Sequence, residues 1–327
     1  MTRDLVSQSV DDVKVTIGLT CFNAEDTIAR ALQSALAQDC LLFEILVVDD
    51  CSSDHSWKII LDFAAKYPCV RAVRHDVNQG PAGARNTIME LAEGEVIAFF
   101  DDDDQSFPQR VRSQYAVLTA HEPLAGDYPV LCFASGVRRY PNGYEYPMHA
   151  IGSQAVVPYG SAVADYLLYN ARRPGWFYGA GTPTCALMLR VATLKSLGGF
   201  DPALRRVEDV DLAVRVALKG GYFVGCPEKL FIQYATVAND KTAQKNLDAE
   251  LALLDKHAHY LKSCGSYHYS RRWFYIRYLY FSGQKWRFIV ALSAFVARYP
   301  VWALQHILRS LPRRWAHEKK INQDPAA

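Results

Sequence analysis

Val13, Val15, Ile17 and Leu19 alternate with Lys14 and Thr16, a period of two that predicts a strand ending near Cys21. Ile28, Ala31, Leu32, Ala35 and Leu36 then recur at helical spacing, with Asn23 expected as the cap of that helix. The apolar run from Phe43 to Val48 stops abruptly at Asp49-Asp50, and Ser52-Ser53 stand as caps for a helix reaching about Tyr67. Val70 to Val73 reads as a third strand. Gly80, Pro81 and Gly83 break the chain ahead of a helix over Ala84 to Glu93, and Val96 to Phe100 predicts a fourth strand. Strands alternating with helices in this order imply an α/β domain, doubly wound around a mostly parallel sheet with right-handed crossovers.

Sheets wound in this way bind ligands beyond the carboxyl ends of their strands, so the residues there are informative. The first strand ends at Thr20-Cys21-Phe22-Asn23, the second at Asp49-Asp50, and the fourth at Asp101-Asp102-Asp103-Asp104. Four adjacent carboxylates repel one another unless a cation compensates them, and hard divalent ions accept carboxylate oxygens together with substrate phosphates. A solvated acidic turn leading into a helix around Pro108 to Leu118 is the competing reading. The apolar strand directly before the run, at the ligand edge of the sheet, favours the cation.

Further along, Gly198-Gly199-Phe200-Asp201 marks a helix stop, after which Val210, Leu212, Ala213, Val216 and Ala217 recur at helical spacing. Glu208 and Asp209 thereby fall at a helix N-terminus, which favours carboxylates as caps and as reacting groups alike. The segment from Pro174 to Thr184 is rich in glycine and carries three aromatic residues, a composition that permits close backbone approach and offers aromatic faces for stacking.

Composition adds a division. Half of the 327 residues are hydrophobic and 21% are charged, which excludes a disordered chain or a small disulfide scaffold. The net charge of +2 conceals 13 Lys and Arg against two acids from Lys256 onward, so a tail of +11 follows a body of −9. Residues 246 to 262 predict an amphipathic helix through Leu247, Leu251, Leu254 and Leu261. Beyond it Arg and Lys alternate with aromatics, as in helices that lie on anionic membranes or, equally, in a helical subdomain packed on the body. No nucleic-acid motif accompanies these charges, and His257 and His259 read as helix-surface residues. The run from Phe288 to Leu308 is interrupted by Arg298, Pro300, Gln305 and His306, a poor membrane span. Eight scattered cysteines without metal-ligand spacing, and a polar N-terminus without signal-peptide character, point to a reduced, cytoplasmic setting, and the membrane reading of the basic tail would make the chain peripheral on the inner face of the membrane.

Five segments, Val15 to Asn23, Ile45 to Ser52, Asn78 to Asn86, Ile97 to Asp104, and Gly198 to Asp201 leading into Glu208 to Leu212, together resemble glycosyltransferase family 2 over roughly residues 13 to 235. The resemblance implies a Rossmann-like GT-A fold and inverting transfer of one sugar from a nucleotide diphosphate donor, a UDP-sugar, to a hydroxyl of a glycan or lipid-linked acceptor. It puts Thr20, Phe22, Asn23, Asp50, Gly80, Arg85, Asp101 and Asp102 at the nucleotide sugar. Asp103 and Asp104 fall on a divalent cation, manganese or magnesium. The glycines and aromatics between Pro174 and Thr184 suggest an acceptor side at Trp176, Gly181 and Thr182, with a core or loop role for Trp176 equally open. Asp209 becomes the general base and Glu208 a partner orienting the acceptor, while Asp211, one position further into the helix, is read as structural. Lys241 could reach a diphosphate but reads first as a solvated lysine in a polar loop.

Two departures stand out: Cys51 takes a place often held by glycine, and Cys21-Phe22 replaces a hydroxyl residue followed by tyrosine. Tyr269 stands where processive members carry the glutamine of a Gln-x-x-Arg-Trp motif ending at Arg272-Trp273, which favours single addition. The expected division is a catalytic domain over residues 1–245 and a basic, aromatic-rich helical extension over 246–327. Two other functions compete. A nucleotidyltransferase needs a basic triphosphate loop after the first strand, and a membrane-docked module without activity needs none of the aspartates.

Overall fold

The computed structural model describes residues 10–40, 42–235, 242–304, 317 and 320–321. The first half follows the predicted alternation: β1 (Val15–Cys21), α1 (Ile28–Leu36), β2 (Phe43–Asp49), α2 (Ser56–Lys66), β3 (Val70–Arg74), α3 (Gly80–Leu91) and β4 (Val96–Asp101). These four strands are parallel, in the spatial order β3-β2-β1-β4. The centres of β1, β2 and β4 are buried on both faces, which is why they read as nearly continuous apolar runs. Gly18 lets α3 lie directly on β1, since a Cβ there would stand 2.6 Å from a methyl of Ile88.

The register fixes the site. Thr20 lies opposite Asp101 and Cys21 opposite Asp49, so the polar ends of three strands form one edge.

The second half contains β5 (Gln105–Ser106), α4 (Arg110–Ala125), β6 (Val130–Arg139), β7 (Glu145–Met148), α5 (Ser161–Tyr169), β8 (Leu187–Arg190), α6 (Val191–Ser196), α7 (Glu208–Leu218) and β9 (Tyr222–Tyr234). It extends the same sheet beyond β4 as β8-β6-β9-β5, with β7 beside β6. Here β8 runs antiparallel to β4 and β6, whereas β6 and β9 are parallel. Gly152, at a φ of +69°, lets its loop cross β9, because a Cβ would meet the Phe223 carbonyl oxygen at 2.0 Å.

The extension consists of α8 (Ala243–Lys256), α9 (Ala258–Ser263), α10 (Tyr267–Phe281) and α11 (Lys285–Arg298). Leu247, Leu253, Leu254, Leu261 and Phe274 belong to the hydrophobic core of the sheet. A second cluster of Tyr269, Ile276, Phe295 and Ala303 joins α10 to α11 and the short helical stretch over residues 300–304. The first helices of the basic extension therefore pack on the α/β body. No helix among the described residues is long and apolar enough to cross a membrane, and all eight cysteines are unpaired.

Several local expectations are corrected. Asn23 does not cap α1, whose N-cap is Thr27; it adopts a positive φ and its amide oxygen accepts from the Ser53 backbone at 2.8 Å. Ser52 and Ser53 likewise leave the start of α2 to His55 and to the Asp54 carboxylate, which accepts from Ser56 N at 2.9 Å. Helix α3 begins at Gly80, with Pro81 in its first turn, where a missing N–H costs nothing. The helix expected over 246 to 262 breaks at His257. That residue is buried rather than on the helix surface.

Candidate active site

A cleft of about 810 Å³ opens at the carboxyl ends of the parallel strands, lined by Thr20, Phe22, Asp50, Gly80, Arg85, Asp101, Asp102 and Asp103 among others. It brings together every residue expected at the nucleotide sugar except Asn23, whose hydrogen bonds to Ser52 and Ser53 hold the turn after β1. The Asp50 carboxylate accepts from Gln79 N at 2.8 Å and Gly80 N at 2.7 Å, and pairs with His75 at 2.7 Å. A carboxylate at the first turn of α3 satisfies free N–H groups and the helix dipole together. Asp102 accepts from Phe22 N at 2.9 Å. Burial nonetheless pushes its carboxyl up to about 8, with Asp103 and Asp101 adding repulsion.

Three basic residues of this cleft escaped the sequence reading: Arg205, Arg206 and Lys245. Arg205 donates to the Asn78 side chain at 2.7 Å, so the turn before α7 is fastened to the loop before α3. The Arg205-Arg206 pair just ahead of Glu208-Asp209 was a visible signal. Lys245 arrives from α8, and nothing local marks it. Lys241 lies outside the described residues.

The aspartate run divides by burial. Asp104 is 4% exposed and both of its carboxylate oxygens lack a hydrogen-bond partner. Ligand atoms of Asp101, Asp104 and Cys185 lie within 4.8 Å of one another. Asp103 lines the open cleft instead, and its backbone carbonyl accepts from Arg30 at 2.6 Å. Burial, and then the neighbouring Asp101 and Asp103 charges, push the Asp104 carboxyl up to about 9. Burial raises Asp101 as well, against the attraction of Arg85.

Behind them Arg110 is fully enclosed, donating to Phe99 O at 2.9 Å, Cys185 O at 2.7 Å and Ser106 Oγ at 2.9 Å. Its guanidinium, lowered to about 10 by burial, is committed to backbone, hydroxyl and Gln114 amide oxygens and leaves Asp104 unpaired. A buried carboxylate with two orphaned oxygens, a second carboxylate and a thiol form a donor set that fits a divalent cation.

The Glu208-Asp209 pair stands at the start of α7 as expected, after Val207, which holds a left-handed φ of 59°. Glu208 is buried and paired with Arg85, whose guanidinium also lies 3.6 Å from Asp101. Arg85 thus joins the aspartate edge of the sheet to the carboxylates of α7. Asp209 is half-buried and faces a second cavity together with Gly181 and Thr182. Burial first, then the charge of Glu208, raise its carboxyl to about 6, while Arg85 pulls the other way.

Trp176 is not brought to this cavity. It packs in an aromatic group with Tyr159 at 5.4 Å and Tyr178 at 6.2 Å. Asp211 is structural, accepting from His257 at 2.9 Å and pairing with Arg215 and Lys256. Its own burial works against ionisation, yet these partners hold it down to about 2.

The Glycosyl transferase family 2 model matches residues 16–193, and the chain belongs to that family. It is similar to the succinoglycan biosynthesis protein ExoO of Rhizobium meliloti (strain 1021), 44% identical over 98 residues, 30% of this chain and 28% of the relative. It is also similar to UDP-Glc:alpha-D-GlcNAc-diphosphoundecaprenol beta-1,3-glucosyltransferase WfgD of Escherichia coli, 32% identical over 124 residues, 37% of this chain and 48% of the relative. The matched segments thus span less than half the length of these two proteins. Among solved structures, S. aureus TarS 1-349 in complex with UDP-GlcNAc superposes with a TM-score of 0.57 at 18% identity, covering 86% of this chain and 80% of that one. The sheet is accordingly that of a GT-A glycosyltransferase fold.

Proposed function

We propose that the protein is an inverting, metal-dependent glycosyltransferase that moves one sugar from a UDP-sugar to a hydroxyl of a glycan or lipid-linked acceptor. One observation carries the reading: Arg85 ties the strand-end aspartates to the Glu208-Asp209 pair, so donor cleft and base flank a single guanidinium. Membership of the family and the donor and diphosphoundecaprenol acceptor named for WfgD support it.

In this reading Thr20 and Asp50 border the base, with Asp101 and Asp102 at the ribose and diphosphate and Arg205 and Lys245 adding positive charge at the rim. Asp104 and Asp101 would hold the divalent cation, with Asp103 at the cleft wall, and the ion would supply positive charge to the departing diphosphate. Asp209 takes the proton from the acceptor hydroxyl as its oxygen bonds to the anomeric carbon and the bond to the diphosphate breaks. A carboxyl at about 6 suits this task, being ionised at neutral pH yet more basic than an ordinary aspartate. Glu208, held by Arg85, keeps that guanidinium in place between the two acidic groups.

The extension adds a surface. Trp286, Ile289 and Val290 project together from one side of α11, the tryptophan 75% exposed, next to Lys285 and Arg287. This is the composition of a helix lying on an anionic membrane. The chain therefore works beside the lipid surface that carries its acceptor.

The decisive assay supplies manganese and a panel of nucleotide sugars and acceptors and follows nucleotide diphosphate release. Asp209→Asn is expected to abolish release, by about 10²-fold or more, with UDP binding unchanged. Full turnover in this variant removes Asp209 as the base, and pyrophosphate release when a nucleoside triphosphate and a sugar 1-phosphate are supplied in place of the nucleotide sugar identifies a nucleotidyltransferase.

A further inference from the structure

The cavity faced by Asp209 has a volume of about 490 Å³ and lies between the α/β body and the helical extension. Gly181, Thr182 and Asp209 form its polar end, and the rest of its wall is largely aromatic and aliphatic, with Trp273, Ile276 and Phe281 from α10 and Phe288 from α11. Its size is that of a small-molecule site, about 300–1,000 Å³. Thr182 is 6% exposed, and its hydroxyl oxygen is enclosed within the wall and not open to the cavity. Arg277 also lines the cavity, but it is paired with Glu250 at 2.9 Å. The wall therefore offers a proton acceptor, Asp209, at one end and apolar surface at the other. It offers little to a polyanion.

We propose that this cavity receives an acceptor whose reacting sugar carries an apolar group: the sugar hydroxyl meets Asp209, and the apolar group lies against α10 and α11. The inference deepens the reading of Asp209 as base and rests on it. The extension then completes the acceptor site as well as presenting a membrane-facing helix. An acceptor sugar without its apolar group binds poorly.

The test is calorimetric titration of the full chain with methyl, octyl and phenyl β-D-glucosides below the micellar concentration. Octyl or phenyl glucoside is expected to bind about tenfold more tightly than methyl glucoside, since several apolar groups leave water. Preference for octyl over phenyl assigns the cavity to a lipid chain, and the reverse assigns it to an aromatic aglycone. Phe281→Ala, at a position 53% exposed and so tolerated by the fold, reduces the preference about threefold or more. Ala180→Trp, on the exposed lip, fills the cavity and abolishes the preference. Equal affinities for all three glucosides, or a preference indifferent to both substitutions, overturns the proposal. Turnover retained by Asp209→Asn overturns the base assignment while leaving the glucoside preference in place, so the two failures are separable.

Discussion

Replacing Arg85 by methionine keeps most of the side-chain volume and removes the charge that holds three carboxylates together. The guanidinium is buried against Glu208, lies 3.6 Å from Asp101, and lowers the affinity of Asp209 for a proton. A unit-charge pair at 3.6 Å is worth about 5 kcal/mol at an effective dielectric of 20, before the cost of burying the charges is set against it. Removing one partner of such a pair costs about 3–5 kcal/mol, because the other charges stay buried without compensation. For a chain of 327 residues that lowers the apparent melting temperature by roughly 4–7 °C.

The same deletion acts on the base. With Arg85 gone, burial and Glu208 act on Asp209 without the opposing guanidinium, so its carboxyl moves upward from about 6. The base works ionised. The rising limb of kcat/KM for nucleotide diphosphate release therefore lies near pH 6 in the unmodified protein and at higher pH in Arg85→Met. Arg85→Lys retains the charge without the fork and falls between the two. A folded Arg85→Met protein whose rising limb has not moved would show that Arg85 does not tune the base.

Asp104→Asn removes a buried carboxylate with no partner, so the metal-free variant is expected to be at least as stable as the parent. Manganese raises the melting temperature of the parent only, and an equal rise in Asp104→Asn refutes the proposed donor set. Gly152→Ala forces a Cβ onto the Phe223 carbonyl oxygen at a positive φ, and a loss of at least about 3 kcal/mol is expected in chemical denaturation. Trp286→Glu is expected to reduce binding to anionic vesicles about tenfold, with salt sensitivity from the neighbouring Lys285 and Arg287, while transfer to a water-soluble acceptor is unaffected.

The parallel half was legible because strands buried on both faces leave continuous apolar runs, and because their abrupt ends at Asp50 and Asp101 mark the ligand edge. Helix starts were less so. Asn23, Ser52 and Ser53 have good capping chemistry, but two turns use their side chains to hold each other rather than a helix. The pairing of β6 with β9 joins segments far apart in sequence, and neither has a distinctive local period. Among site residues, the aspartate run was singled out from its position at the sheet edge, and Asp209 from its helix start together with the family resemblance. The role of Arg85 as a bridge was not, because its partners Asp101 and Glu208 lie on separate elements. Cys185 and Lys245 reach the site only through the fold, and His257 looked like surface because its buried partner Asp211 sits on another helix.

The place of β9 in the sheet also sets an order of assembly. Gln105 and Ser106, directly after the aspartate run, pair with Ile232 and Phe231, and Phe107 N donates to Leu230 O at 2.9 Å. During synthesis β1 to β4 can pair among themselves as soon as residue 101 has emerged, whereas the far side of the aspartate loop has no strand to rest on until β9 is made. The acidic loop is thus among the first parts of the site to be synthesised and among the last to be fixed. A nascent chain halted before β9 would hold the parallel sheet without the shape that gathers its aspartates.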